Sequence, residues 1–256
     1  MIKNTKIVGI LNITPDSFSD GNKYNDAESI LSHAEKLIKD GADVIDIGAE
    51  STRPGAIKLS TVQEWQRLSP ILQNIIDTCH KNNVEAGIDT YHPENAMKAI
   101  ETGIDYINDV NGFKNPQMIE VAKNSAVKII AMHSLTVPAD KAVNIDEGVD
   151  TVSEVLSWGN AQIQNLIDNN IERSRIIFDP GIGFNKTASQ SKELIQRVEE
   201  LRSLRVPIYI GHSRKSFLGD VDDRDKATIE ISKQLIAKDI DYIRVHDVSG
   251  HGKTEL

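Results

Sequence analysis

Short apolar segments alternate with longer amphipathic ones along this chain. The apolar segments have the length and β-branched content of buried strands, and they lie at residues 6–13, 43–50, 84–90, 106–110, 128–133, 175–180, 207–212 and 241–247. Between them, apolar residues recur every three or four positions, as in a helix that buries one face. The pattern predicts eight strand–helix alternations.

The stretch after the second strand shows how a helix can be divided. Thr61 and Glu64 have the spacing of a capping box, which predicts a helix start there. Pro70 cannot lie inside a continuous helix without a cost in stability. With Ser69 as cap and Pro70 in the first helical position, the sequence predicts that one helix ends and a second begins at this point.

Regular alternation of strands and helices is typical of a parallel sheet. A closed (β/α)8 barrel, the TIM-barrel fold, has about 250 residues, and this chain has 256. No linker or low-complexity stretch divides it, so we expect one domain over residues 1–256. Only nine residues follow Asp247, which predicts that the final helix is short or absent.

Composition and charge exclude several classes of protein. Asp and Glu outnumber Lys and Arg by 38 to 29, giving a net charge of −9, which argues against binding to nucleic acid or to an anionic membrane surface. The single cysteine, Cys79, excludes a disulfide framework and a cysteine-based zinc site. No apolar run is long enough to span a bilayer and the amino terminus does not resemble a signal peptide, so we expect a cytoplasmic protein.

Polar side chains gather where the predicted strands end. In a barrel, the carboxyl ends of the strands and the loops after them carry the catalytic groups. Any one of these residues could simply cap a helix, but their number favours a functional site. The candidates are Asn12, Glu50, Thr52, Arg53, Asp89, Asn108, Asp109, His133, Asp179, His212, Arg214, Lys215, Arg244 and His246.

Several common motifs are absent from the sequence. Gly181 and Gly183 form a G-x-G pair, but the third glycine of a dinucleotide-binding fingerprint is missing. The sequence contains no G-x-x-x-x-G-K-[ST] phosphate loop and no H-E-x-x-H zinc motif. Ser213 lacks the surrounding glycines of a nucleophile elbow. These absences argue against nucleotide-dependent, zinc-dependent and serine-nucleophile chemistry.

Seven segments, each after a predicted strand, carry a family resemblance. They are NITPDSFSDG at 12–21, DIGAESTRPG at 46–55, IDTY at 88–91, INDV at 107–110, DPGIGF at 179–184, SRKSFLG at 213–219 and RVHD at 244–247. Over nearly its whole length the chain resembles the dihydropteroate synthase family of pterin-binding TIM barrels. The resemblance implies that 6-hydroxymethyl-7,8-dihydropterin pyrophosphate and p-aminobenzoate condense to 7,8-dihydropteroate and pyrophosphate, assisted by Mg²⁺.

The resemblance also assigns roles to individual residues. The pterin-binding set is Asp89, Asn108, Asp179 and Lys215, with Phe184 and Met132 as pocket walls. Asn12 is the expected Mg²⁺ contact, and Arg244 with His246 the expected pyrophosphate site. Thr52, Arg53 and Ser216 are expected at the aminobenzoate site or in loop closure, and Phe18 and Asp20 in a mobile first loop. The expected catalytic groups are Asp20, Arg53, Lys215, Arg244 and His246.

Two rival functions remain open on the sequence. A methyltetrahydrofolate-dependent methyltransferase module would share the Asp–Asn–Asp pterin face, but it would have no reason to keep Arg244 and His246 for pyrophosphate. A non-catalytic pterin-binding paralogue would be expected to lose loop residues such as Phe18 and Arg53, which are present. The resemblance further implies a homodimer that binds small molecules, including sulfonamides as mimics of p-aminobenzoate.

Overall fold

The computed structural model of the chain describes residues 5–13, 23–52, 55–140, 142–219 and 223–251. Three of the predicted site residues, Phe18, Asp20 and Arg53, lie outside these ranges. None of the helices in the described ranges combines the length and the apolar character that crossing a bilayer requires.

The eight predicted strands form one parallel barrel. The strands are β1 (Lys6–Asn12), β2 (Val44–Gly48), β3 (Glu85–Asp89), β4 (Tyr106–Asp109), β5 (Lys128–Met132), β6 (Ile176–Asp179), β7 (Tyr209–Ile210) and β8 (Tyr242–Val245). Neighbouring strands pair in the order β6-β5-β4-β3-β2-β1-β8-β7. A single parallel bridge between Phe178 and Ile208 joins β6 to the start of β7. The predicted fold class is confirmed.

Helices follow the strands around the barrel. They are α1 (Lys23–Lys39), α2 (Thr61–Leu68), α3 (Leu72–Lys81), α4 (Pro93–Thr102), α5 (Pro116–Lys123), α6 (Thr151–Asp168), α7 (Ala188–Gln196) and α8 (Arg224–Ala237). A 3-10 helix at Val198–Leu204 follows α7. After β8 the last described element is a 3-10 turn, Ser249–His251, in agreement with the short final helix that was predicted.

The caps of α2 and α3 differ from the prediction. The capping box of α2 is formed by Ser60 and Gln63, one residue before the predicted pair. The predicted break is present, but Ser69 ends α2 instead of starting α3, and α3 begins at Leu72. Pro70 therefore lies in the turn between the helices, where its missing N–H costs no helical hydrogen bond.

The core has two layers. The larger packs the outer faces of the strands against the helices and includes Leu11, Ile45 and Cys79, each such buried apolar side chain contributing roughly 1.5–3 kcal/mol. Burial raises the pKa of the Cys79 thiol to about 12, which makes it unreactive. The smaller layer fills the barrel interior with Val8, Val44, Tyr106, Ile130, Ile177, Tyr209 and Tyr242.

A cluster of charges closes the amino-terminal end of the barrel. Glu85 at the start of β3 accepts hydrogen bonds from Lys6, from Lys128 at 2.8 Å and from the Tyr106 hydroxyl at 2.7 Å. Although burial raises it, these bonds lower the pKa of Glu85 to about 2. The opposite end of the barrel is left for the polar strand ends.

Candidate functional site

The predicted residues that the structure describes lie at the carboxyl end of the barrel. Asn12, Asp89, Met132 and Asp179 are the last residues of β1, β3, β5 and β6, and Asn108 and Arg244 lie within β4 and β8. The others lie in the connections after β2, β6, β7 and β8; they are Thr52, Phe184, Lys215, Ser216 and His246.

Arg244 links several of these strands inside the barrel. Its Nε donates to Asp46 Oδ2 at 2.6 Å, and its Nη2 donates to Asp89 Oδ2 at 2.7 Å. Asn108 Nδ2 donates to the same oxygen of Asp46 at 3.0 Å. Strands β2, β3, β4 and β8 therefore meet in one hydrogen-bonded network.

Asp46 was missed among the candidate site residues. It lies in the middle of β2 and is 1 % exposed, and Gly87 in the neighbouring strand leaves room for it, since a Cβ on that glycine would lie 3.2 Å from Asp46 Oδ1. A carboxylate within an apolar strand was the available signal, because buried charges require partners.

Asp179 and Lys215 lie on the other side of the space next to Arg244. A Cβ on Gly211 would lie 3.7 Å from Asp179 Oδ2, 3.9 Å from Arg244 Cδ and 4.0 Å from Lys215 Nζ. Lys215 Nζ donates to the Ile182 carbonyl and lies 4.5 Å from the centroid of the Phe184 ring. Most of the predicted pterin-binding set is thus gathered around one space.

Burial and charge work against each other in this space. Burial raises the pKa of Asp89 while Arg244 lowers it, and burial raises the pKa of Asp179 while Lys215 lowers it. For Arg244, burial lowers the pKa, but Asp46 and Asp89 hold it above its ordinary value. The guanidinium therefore stays charged, while the net effect on Asp89 is a pKa raised to about 7.

Two acceptors in the network have no donor among the described residues. Asp46 Oδ1 and Asn108 Oδ1 are buried without a hydrogen-bond partner. An unsatisfied buried acceptor costs about 1–3 kcal/mol. A flat heterocycle with N–H groups on its edge could satisfy Asn108 Oδ1 and hydrogen-bond to Asp89 and Asp179.

His246 is oriented by Ser213. The Ser213 hydroxyl lies 2.9 Å from His246 Nδ1 and accepts a hydrogen bond from the His246 N–H at 3.2 Å. These contacts hold the imidazole ring at its Nδ1 side. Ser213 lies in the connection after β7, which also carries Lys215. The imidazole is half-buried at the rim, where it can serve as a donor to an anion.

Glu50 holds the connection after β2 in place instead of facing the expected pterin-binding residues. Its Oε1 accepts from the Leu59 N–H at 3.0 Å and the Tyr91 hydroxyl at 2.7 Å, and its Oε2 lies 3.1 Å from His92 Nε2. His92 Nδ1 contacts the Thr61 hydroxyl at 3.2 Å. Glu50, His92 and Glu64 are close enough to hold a metal ion, but both imidazole nitrogens already have partners.

Three predicted residues are located only by their position at the rim. Thr52 follows β2 and is half-buried, Ser216 begins a 3-10 turn after β7 and is exposed, and Met132 is buried at the end of β5. The structure shows no direct bond between any of these three and the Arg244 network. The roles expected for them, Met132 as a pocket wall and Thr52 and Ser216 at the aminobenzoate site or in loop closure, stay predictions.

A family comparison agrees with this geometry. The family model described as "Pterin binding enzyme" matches residues 8–246, and a "Dihydropteroate synthase" of Synechocystis sp. is 37% identical over 96% of this chain and 86% of the relative. The chain belongs to the dihydropteroate synthase family. A "Folate synthesis bifunctional protein" of Chlamydia muridarum is also 37% identical, over 96% of this chain, but the chain spans only 57% of that relative's length.

Solved dihydropteroate synthase structures share the fold. The enzyme of Anaplasma phagocytophilum with bound 6-hydroxymethylpterin-monophosphate has a TM-score of 0.89 and 40% sequence identity, covering 96% of this chain and 95% of that one. The enzyme of Xanthomonas albilineans with 4-aminobenzoic acid has a TM-score of 0.87 and 28% identity, covering 97% and 90%. The dihydropteroate synthase barrel thus extends over almost the whole chain.

Proposed function

We propose that the protein condenses 6-hydroxymethyl-7,8-dihydropterin pyrophosphate with p-aminobenzoate, giving 7,8-dihydropteroate and pyrophosphate. The observation that carries the proposal is the convergence of Asp89, Asn108, Asp179 and Lys215 around Arg244 at the carboxyl end of the barrel. The two small molecules in the related solved structures, a pterin monophosphate and 4-aminobenzoic acid, are chemically close to the two substrates.

The pterin would be held by its edge. Its amino group and ring N–H groups would donate to the carboxylates of Asp89 and Asp179, and Asn108 can donate and accept. Lys215 would donate to a ring acceptor from beside the Phe184 ring. Charge-assisted hydrogen bonds of this kind contribute roughly twice as much as neutral ones.

The reaction would begin with departure of the diphosphate. The bond between the exocyclic carbon and the diphosphate oxygen breaks, the electron pair leaves with pyrophosphate, and the electron-rich dihydropterin stabilises the resulting cation. The aniline nitrogen of p-aminobenzoate then bonds to that carbon and loses a proton. His246 and Arg244 would stabilise the leaving charge, which requires no strong base or nucleophile.

This order of steps can be tested by single-turnover kinetics with a series of substituted anilines. If pyrophosphate leaves first, the rate of its release will be independent of the nucleophilicity of the aniline. A release rate that rises with aniline nucleophilicity would contradict the order.

Asn12 fits a magnesium ion. Its side chain is exposed at the end of β1. Its Oδ1 lies close to Gly48 at the end of β2, since a Cβ placed on that glycine would be 3.8 Å away. An amide oxygen is a hard ligand, and Mg²⁺ commonly takes one or two protein ligands and keeps several waters. When bound, Mg²⁺ would neutralise charge on the diphosphate.

Metal dependence is a direct prediction of this assignment. EDTA should abolish dihydropteroate formation, and added Mg²⁺ should restore it. Asn12→Ala should raise the Mg²⁺ concentration needed for half-maximal rate by roughly tenfold, the loss of one oxygen contact to a charged partner. Full activity in EDTA, or an unchanged Mg²⁺ requirement in the variant, would contradict the proposal.

The second substrate would lie between the loops after β2 and β7. Thr52 and Ser216 would contact p-aminobenzoate, and Phe18, Asp20 and Arg53 would belong to loops that exclude water. Sulfonamides, which mimic p-aminobenzoate, should therefore inhibit competitively against it. Non-competitive inhibition measured against p-aminobenzoate would contradict this position.

One assay separates the proposed function from its rivals. Purified protein is given the pterin pyrophosphate, p-aminobenzoate or both, and dihydropteroate and pyrophosphate are measured. Product that requires both substrates supports the proposal. Pterin binding without turnover would identify a non-catalytic paralogue, and methyl transfer from methyltetrahydrofolate would identify the methyltransferase reaction.

We further propose a cytoplasmic homodimer. The cytoplasmic location is supported by one buried free cysteine, which suits a reducing compartment. The dimer rests on family membership alone. Light scattering at micromolar concentration tests it, and a monomeric, fully active protein would contradict it.

A further inference from the structure

Lys186 is a buried lysine that no step of the proposed reaction uses, and burial lowers the pKa of its ammonium group to about 7. It lies between β6 and α7, two residues after Phe184, and is 7 % exposed. Its Nζ donates to the Gly181 carbonyl at 3.1 Å and the Phe184 carbonyl at 3.0 Å, and lies 2.9 Å from His133 Nδ1. A fourth, longer contact joins Nζ to the His133 carbonyl at 3.5 Å. An ammonium group has three donors, so the three shorter contacts use its full capacity.

The contact with His133 defines a proton position. When Lys186 is protonated its ammonium group can only donate, so His133 Nδ1 accepts and the imidazole proton lies on Nε2. Burial lowers the pKa of His133 to about 2, so the ring is neutral. Lys186 therefore ties the loop after β6 to the residue that follows β5.

The same ammonium group is linked to Asp179 through the backbone of one residue, Gly181. The Gly181 carbonyl accepts from Lys186, and the Gly181 N–H donates to Asp179 Oδ1 at 2.7 Å. Gly181 has a φ of +67°, and a Cβ there would lie 2.0 Å from the His133 carbonyl oxygen. The position of the Gly181 backbone therefore orients the Asp179 carboxylate.

The far end of the loop is held in the same way. Lys186 binds the Phe184 carbonyl, and the Phe184 ring and the Ile182 carbonyl both contact Lys215 Nζ. One buried lysine thus supports the segment that contacts two members of the expected pterin-binding set. Its charge also favours the ionised form of Asp179.

We propose that Lys186 is a positioning residue for pterin recognition, holding residues 181–184 so that Asp179 and Lys215 face the heterocycle. The inference rests on the proposed function for the identity of the ligand. It assigns Lys186 no contact with substrate. Its loss should weaken pterin binding through Asp179 more than it weakens the use of p-aminobenzoate.

The test is a double-mutant cycle on the full chain, with Kd for the pterin pyrophosphate measured by calorimetry. Lys186→Met keeps the length of the side chain and removes the donors and the charge. We expect it to weaken binding about tenfold, with KM for p-aminobenzoate within twofold of the wild type. Lys186→Met in an Asp179→Asn background should weaken binding less than threefold further, because linked residues are not additive.

Other results of the cycle would overturn the inference. Wild-type affinity in Lys186→Met, effects that multiply in the double variant, or an equal rise in KM for p-aminobenzoate would each do so. Lys192→Met, on the exposed side of α7, is the matched control and should bind as the wild type does. If Lys186→Met does not fold, Lys186→Gln, with two donors and no charge, replaces it in the cycle.

A second measurement needs neither substrate nor variant. Nitrogen-15 NMR of the wild-type protein at pH 6, below the pKa of Lys186, should show His133 protonated on Nε2 and unprotonated on Nδ1; a proton on Nδ1 would overturn the inference. Binding and tautomer are read without turnover. A chain that binds the pterin but forms no dihydropteroate would therefore overturn the proposed function alone.

Discussion

At the scale of single residues, Arg244 has two tasks that compete. Its guanidinium bonds to Asp46 and to Asp89, and Asp89 is also an expected acceptor for pterin N–H groups. A pterin that donates to Asp89 would share that carboxylate with the arginine or displace it. Since Asp46 would still hold Nε, the freed Nη2 could turn toward a diphosphate, which connects pterin binding to the anion site.

Lys215→Ala is the clearest test of the pterin site at this scale. The variant loses one charge-assisted hydrogen bond to the ligand, worth about 1.5–3 kcal/mol, so we expect the Kd for the pterin pyrophosphate to rise by roughly 10- to 100-fold. Calorimetry measures the Kd, and thermal unfolding should show little change.

Lys192→Ala, which removes an exposed lysine from α7, is the control. Wild-type affinity in Lys215→Ala, or equal losses in both variants, would argue against the position of the pterin.

Residue types at strand ends predicted much of the site, and the barrel explains why. Parallel strands bring their carboxyl ends to one rim, so Asp89, Asn108 and Asp179 could be grouped without coordinates. Asp46 was missed because hydropathy does not show which side chains of a fully buried strand point inward. Lys186 was missed because its partners are backbone carbonyls, which no motif encodes, and the ring of His133, which is distant in the sequence.

At the scale of elements, the connection from β6 to α7 is as important as the strands. Gly181 adopts a positive φ where the loop passes close to the end of β5. Only glycine allows both that backbone angle and that approach. The loop thereby gains a fixed shape, which a connection of ordinary residues would lack.

Gly181→Ala should separate close approach from backbone strain. Gly41, between α1 and β2, also has a positive φ, 103° against 67° for Gly181, but a Cβ there meets nothing within 4 Å. Both alanine variants should lose about 1–2 kcal/mol of stability from the positive φ, and Gly181→Ala should lose more, because its Cβ would overlap the His133 carbonyl oxygen. Only Gly181→Ala should also lose pterin affinity, by tenfold or more.

Urea unfolding and calorimetry measure the two effects. Equal pterin affinity in Gly181→Ala and Gly41→Ala would show that the close approach has no part in binding.

Element ends were the weakest part of the sequence prediction. All eight strands were found, yet β7 has two residues where six were expected. The start of α3 was predicted two residues early, because proline is as acceptable in an open turn as in the first position of a helix. The local sequence is compatible with both starts of α3, and the packing of the folded chain selects the later one.

At the scale of the whole molecule, the two ends of the barrel differ in purpose. The amino-terminal end pairs Glu85 with Lys6 and Lys128, so its charges are compensated within the protein. The carboxyl end has two buried acceptors, Asp46 Oδ1 and Asn108 Oδ1, that no donor in the described part of the chain satisfies. Stability is concentrated at one end, and the other is available for ligands.

Glu85→Gln tests the amino-terminal cluster through its pH dependence. The folded pKa of Glu85, about 2, lies below the ordinary value of 4.5. Its ionised form therefore stabilises the fold above about pH 4.5, and that contribution is lost as pH falls toward 2. The wild type should be more stable than the variant at pH 7, and the difference should shrink between pH 4.5 and pH 2.

Urea unfolding at several pH values measures this difference, with Glu101→Gln, an exposed residue of α4, as the control. A difference between wild type and Glu85→Gln that does not depend on pH would contradict the assignment.

The weak pairing between β6 and β7 affects how the barrel can adjust its width when a ligand binds. One bridge, Phe178 to Ile208, joins these strands, whereas β1 and β2 pair over five residues. Widening the barrel between β6 and β7 would break the fewest hydrogen bonds between neighbouring strands. Asp179 on β6 and Lys215 in the connection after β7 lie on either side of this weak pairing. The barrel can therefore widen with the least loss of hydrogen bonds next to the expected pterin site.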